Sequence, residues 1–345
     1  MSTANDRTPA AGTLRTLAAA ALAALAGGCG HSFPHPDVSG IDLEVSVVPF
    51  YRDLFDRPAD TVVAHTADLV DRYGDYFDLY CSRVIGVGHP ADSTFADGFR
   101  QFLTYEPNAE VMAECNRHFD RWTWLDADLT DAMKCYRHFF PDARIPNVYC
   151  HFSGFSQSLF VDSLNLSFSV EKYLGSDCDF YARLEIPVYM RRQMTAEHIV
   201  PDVVRAMLLT DFPDDGDKSD LLSAMIYQGK ILYAAKCIVP SVADTVLFGY
   251  TAEQLEWCEN CEARMWGYLA ENNYLYSTNA MDIRKFVNDS PFTTFLGQNS
   301  PGRAVVYCGF NIVAAYMKER PDETLRSLMA THDAQAIMMA SRYRP

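Results

Sequence analysis

The residues best placed to do chemistry lie between Thr195 and Lys236. His198 and Asp202 are four apart, so on a helix they share a face, with Glu197 beside them and Arg205 one turn further on. An imidazole and a carboxylate in that arrangement could serve as two metal ligands. Arg205 argues against this, because a guanidinium keeps its charge and would repel a dication. Asp202 and Arg205, three apart, are most simply an ion pair. Further along, Gln228 precedes Gly229, and a carboxamide is a poorer zinc ligand than a carboxylate. A satisfied polar cluster between two helices is the plainer reading of Pro201-Asp202-Val203-Val204-Arg205.

Other chemistry is thinner. No G-x-S-x-G elbow, no phosphate-binding glycine loop and no cofactor motif occurs. Cys258 and Cys261 form a lone C-x-x-C inside a helical pattern, without the second pair a structural zinc site needs. Cys150 and His151 adjoin, but neighbours on a strand point to opposite faces. Asp214, Asp215 and Asp217 lack calcium-loop spacing and read as a solvated turn. Trp122 and Trp124 read as core, and His31 and His35 as solvated residues of a tether.

These residues need elements to hold them. Val200, Val203, Val204, Met207 and Leu208 make an apolar stripe, so Thr195 onward predicts an amphipathic helix. Thr195 is its expected cap, with Pro201 either kinking it or standing first in it. The following helix, Leu221 to Lys236, is apolar nearly all round and should be buried. Upstream, 41–48 predicts a strand. Helices are expected over 60–80, 95–103, 109–124 and 129–140, and strands over 147–152, 159–161 and 164–168. Downstream, Thr251 and Gln254 form a capping box, and helices follow over 303–318 and 324–339. The fold class is α+β, mostly helical, with a small sheet just before the helix that carries His198 and Asp202.

The chain has 345 residues, 49% hydrophobic and 21% charged, enough for one large core. A net charge of −16 excludes a nucleic-acid binder that works through a basic face. Residues 1–28 read as a leader. Arg7 and Arg15 precede a short apolar run from Leu17, too short to span a bilayer. Its end, Leu25-Ala26-Gly27-Gly28-Cys29, resembles a bacterial lipobox, with Ala26 where Leu is usual. The resemblance implies acylation of Cys29. Residues 29–40, with two Pro and two His, then read as a tether, and 41–345 as one domain: a helical part, 41–145, then a sheet plus helical core, 146–345. Nine further cysteines remain, an odd number, so an exported chain keeps at least one free thiol, and their irregular spacing does not suit a small disulfide scaffold.

The segments YLGSD, IVPDVVRAMLLTDFP, LLSAMIYQGKILYAAKCIVP, GYTAEQLEWCENCEARMW and SPGRAVVYCGFNIVAAYMKE, in this order, resemble the GldB family of gliding motility-associated lipoproteins. The likeness is close from Tyr173 onward and looser before it. The family is distantly similar to gluzincin-type zinc peptidases, in which H-E-x-x-H and a downstream Glu-Gly hold the metal. Here those places read Pro201-Asp202-x-x-Arg205 and Gln228-Gly229. The resemblance therefore implies a degenerate, zincin-like core without metal or catalysis. His198, Pro201, Asp202, Arg205, Gln228 and Gly229 would line a former active-site cleft. It also implies a lipid-anchored envelope protein with partners in motility or secretion machinery. Gly30-His31-Ser32-Phe33 lacks the acidic export signal that often follows the lipidated Cys, which favours the periplasmic side. A hydrolase with a non-standard site is the alternative.

Overall fold

The computed structural model describes residues 33–214 and 220–345. The leader, Cys29, His31 and part of the acidic loop, including Asp215 and Asp217, lie outside the described residues. Four short strands form one sheet: β1 (Val47–Val48), β2 (Asn147–His151), β3 (Leu159–Val161) and β4 (Asn165–Ser169). Their order is β1-β2-β4-β3, with β3 antiparallel to β4 and the other pairs parallel. Nearly all other regular structure is helical, so the chain is α+β and mostly helical.

The expected strand over 41–48 shrinks to two residues because side chains take over its backbone groups. The Thr130 hydroxyl accepts from the Val45 N–H at 2.9 Å and donates to the Val45 carbonyl at 3.2 Å. The Asp126 carboxylate takes the Val47 N–H at 3.0 Å. With Val45 satisfied in this way, the ladder begins only at Val47.

The expected helix over 60–80 is likewise broken, into Ala59–Ala64, Thr66–Tyr73 and Asp75–Leu79, followed by a π turn at Tyr80–Val84. Gly74 sits at the second break with φ +53°, where only glycine is unstrained. The breaks let several rings converge. Phe50 meets Tyr73 and Tyr80 edge-on at 4.8 Å, and Tyr76 stacks on Tyr149 of β2 at 3.9 Å. This aromatic layer covers one face of the sheet, where the Tyr76 hydroxyl meets Ser167 of β4 at 2.9 Å. Phe168, one residue on, is turned to the other face, and its ring lies 6.1 Å from Tyr173.

Six helices build the remainder of interest: α1 (Leu125–Phe139), α2 (Ile199–Asp211), α3 (Leu221–Ile238), α4 (Ala252–Glu271), α5 (Val305–Glu319) and α6 (Ala334–Ser341). The apolar α3 is buried along most of its length, and Asp220 caps it by accepting the Ser223 N–H at 2.8 Å. It crosses α5 at Gly229 and Gly309, where a Cβ on either residue would run into backbone of the facing helix. One side of α2 packs against α3 and another against β3 and β4. The capping box opens α4 as expected, with Gln254 N–H on the Thr251 hydroxyl at 3.2 Å and Thr251 N–H on Gln254 Oε1 at 3.0 Å. The helix expected over 324–339 is instead two, Leu325–Ala330 and α6. Every described cysteine is a free thiol.

Candidate functional site

A three-residue turn, Ala196–His198, feeds into α2. Thr195 does not cap this helix. Its hydroxyl meets His198 Nδ1 at 2.8 Å instead. Pro201 neither kinks α2 nor opens it. It is the third residue, in the first turn, where the missing N–H would have had no helical acceptor. His198 is buried, and burial, aided by the charge of Arg205, lowers its pKa to about 4.

Asp202 stands one turn further on, a quarter exposed. It accepts a hydrogen bond from the Tyr173 hydroxyl at 3.1 Å, and Arg205 Nη1 lies 3.9 Å from its other oxygen. Burial raises the Asp202 carboxyl to about 6, with Arg205 pulling it the other way. Arg205 is loosely held, for its Nε is buried without a hydrogen-bond partner. Burial, then the like charge of Arg303, lowers its pKa. Arg303, just before α5, is almost inaccessible. It donates to the Phe248 carbonyl at 2.8 Å and pairs with Asp289 at 3.2 Å. Two carboxylates and two guanidiniums thus share one site.

The cluster opens into a cleft of about 520 Å³, lined among others by Phe155, Lys172, Met190, Met194, Asp202 and Asp289. Its backbone is strained. Of the non-glycine residues with positive φ among those described, Phe155 (68°) and Glu185 (54°) line the cleft and Arg303 (49°) backs it. Each such residue costs on the order of 1–3 kcal/mol, and such strain concentrates at binding and catalytic sites. Phe155 is held there by the buried Glu171, whose Oε1 accepts from Phe155 N–H at 3.0 Å and from the Ser153 N–H and hydroxyl at 2.8 and 2.7 Å.

A family model described as gliding motility protein GldB matches residues 32–345. The chain belongs to the GldB family. No curated protein and no solved structure matches it. As a GldB family member it is a gliding-motility-related lipoprotein of the cell envelope. Among the described residues no helix is long and apolar enough to cross a membrane.

Of the positions singled out from the sequence, the fold brings Asp202 and Arg205 together, with His198 within reach of Arg205's charge. It places the others elsewhere. Pro201 lies on another side of α2, Gly229 serves the crossing with α5, and the half-buried Gln228 makes no hydrogen bond to the cluster. Among the described residues no group of three or more His, Cys, Asp or Glu side chains is placed to hold a metal ion. Sequence reasoning missed Tyr173, Asp289 and Arg303, which come from loops 29, 87 and 101 residues from Asp202. No local spacing could have found them.

Proposed function

We propose that this GldB family member is a non-catalytic lipoprotein, anchored through Cys29 and facing the periplasm. Its body binds protein components of the envelope motility or secretion machinery. In this reading α2 and α3 keep the scaffold of a zinc peptidase without its ligands, and the cleft beside Asp202 has become a binding surface. The observation that carries it is the pair Arg205 and Arg303 beside Asp202, positive charge where metal chemistry would need ligands. The strained residues around the cleft fit a surface preorganised for a partner.

One observation favours a hydrolase. A carboxyl raised to about 6, beside a tyrosine in a cleft, is the kind of perturbed acid that catalytic sites use. Metal content separates the two. After exposure to zinc and dialysis, the purified full chain is expected to retain less than about one tenth of an equivalent, a tenfold margin in occupancy. Near-stoichiometric zinc, lost in His198→Ala, would replace the binding reading with a metallohydrolase. Radiolabelled fatty acid should enter the wild-type chain and not Cys29→Ser.

A further inference from the structure

A second and larger cleft, about 1280 Å³, lies on the far side of the first turn of α2. One wall is a face of α1. Trp124, Asp128, Asp131 and Cys135 recur at helical spacing and all line it. The opposite wall is apolar, made of Val239, Pro240 and Val242 after α3, with Pro201 of α2 at its end. Residues 35–39 form a third side.

Its charge is one-sided. Asp37, Asp128, Asp131 and Glu197 line it against the single cation Lys134, with His35 beside them. None of the four carboxylates makes an ion pair among the described residues. Asp37 takes the Ser39 N–H at 3.0 Å, and Asp128 and Asp131, a turn apart on one helix face, repel each other. An open apolar trough with unspent negative charge and a half-buried tryptophan fits a cation carried on apolar surface. Its size exceeds the usual range for a small molecule. Anionic lipid and nucleic acid are repelled by the same carboxylates.

We infer that this groove is a docking site for a basic segment of a partner protein, in which Lys or Arg alternates with apolar residues. The inference rests on the reading of the chain as a protein-binding lipoprotein and adds where a partner docks and with what chemistry. The cationic groups would lie between Asp128, Asp131 and Glu197, with one over Trp124, and the apolar side chains against Pro240 and Val242. Position supports a partner near the membrane. His35 follows Cys29 by six positions, and so short a stretch spans at most about 20 Å.

The test uses the full chain in neutral detergent and a fluorescent peptide in which Lys and Arg alternate with Val and Pro. Anisotropy should show binding that weakens as salt rises, and an Asp/Glu counterpart peptide should not bind. The double variant Asp128→Asn, Asp131→Asn should weaken binding about tenfold or more, and Trp124→Ala should weaken it further, with unchanged thermal unfolding. Asp322→Asn, at an exposed carboxylate that does not line the groove, should leave it unchanged. No binding of the basic peptide, or binding untouched by the double variant, overturns the inference. So does equal loss on adding calcium in place of salt, which would make the groove a cation site. Site-directed crosslinking of the full chain in cells tells this failure from failure of the wider reading. Envelope proteins captured beside Asp202 but not at Trp124 would sink the groove alone. Capture at neither would sink both.

Discussion

The first turn of α2 separates two clefts with opposite charge logic. On one side, Asp202, Arg205, Arg303 and Asp289 sit close and neutralise one another, and Tyr173 and the Phe248 carbonyl complete the set. On the other side, Glu197 joins Asp37, Asp128 and Asp131 with no ion-pair partner among the described residues. The first set is drawn from five separate segments and, the exposed Asp289 apart, is partly or wholly buried. The second stands on the surface. Charges that meet their partners inside the chain hold its parts together. Charges left without partners cost a little stability, and what they offer is aimed outward.

Both sides hang on the same scaffold, so the largest effect should come from breaking that. Gly229 and Gly309 let the backbones of α3 and α5 touch. Gly309→Ala forces a methyl group into the Met225 carbonyl and has no flexible side chain to displace. Destabilisation of about 3 kcal/mol or more is expected in urea unfolding. If the variant instead unfolded like wild type, α3 and α5 would not be the common support of the two clefts.

The next effect should separate the sides. Arg303→Ala removes a nearly inaccessible guanidinium and orphans the Phe248 carbonyl. A loss of about 2 kcal/mol is expected, reduced because Asp289 is well exposed and can turn to water. Arg303→Lys should recover only part, since one ammonium cannot replace the fork that reaches both partners. On the groove side, Lys134→Ala should change stability by no more than about 0.5 kcal/mol. Equal losses at Arg303 and Lys134 would erase the contrast.

How much of this was legible beforehand depends on distance along the chain. The pairing of Asp202 with Arg205 follows from their spacing on one helix, and the small sheet followed by α2 and α3 follows from alternation and periodicity. The capping box at Thr251 is equally local. What failed was non-local. Val45 has strand composition, but Thr130 of a later segment takes its backbone groups. Thr195 has the right type for a cap, but His198 competes for its hydroxyl. Gly229 gave no sign of its role, because a helix apolar on every face marks none of them for its partner. Arg303 read as the start of a helix, and only the fold brings it to Asp202. The groove was invisible for the same reason: it joins α1, α2 and the segment after α3.

Titration gives a finer contrast within the paired side. The Asp202 carboxyl is raised in the fold from 3.8 to about 6. The folded protein then holds a proton that the unfolded chain has lost, so this contribution is full below about pH 4 and disappears as pH rises through about 6. His198 is lowered from 6.5 to about 4, so its contribution is full above 6.5 and disappears as pH falls toward 4. The two slopes oppose each other over one window. Relative to wild type, Asp202→Asn should make stability rise more steeply from pH 4 to 6.5, and His198→Gln should flatten or invert the rise. Each difference should be on the order of 1–2 kcal/mol, allowing for the partial exposure of Asp202. Urea midpoints across that range read it directly. Parallel profiles for the three proteins would mean that neither burial governs its group.

The smallest effect belongs to the unpaired side and has the opposite sign. Asp131 stands one turn after Asp128 on α1, beyond the first turn, where the helix dipole no longer rewards a negative charge. Asp128 is held above its ordinary carboxylate range by burial and then by Asp131. Asp131→Asn should therefore leave stability unchanged or raise it by about 0.5 kcal/mol, and should bring Asp128 back toward its ordinary value in an NMR titration. A clear loss of stability would mean that Asp131 has an internal partner after all. The groove would then be structural, and the division between inward-paired and outward-facing charge about the first turn of α2 would fail on the side where it is most easily tested.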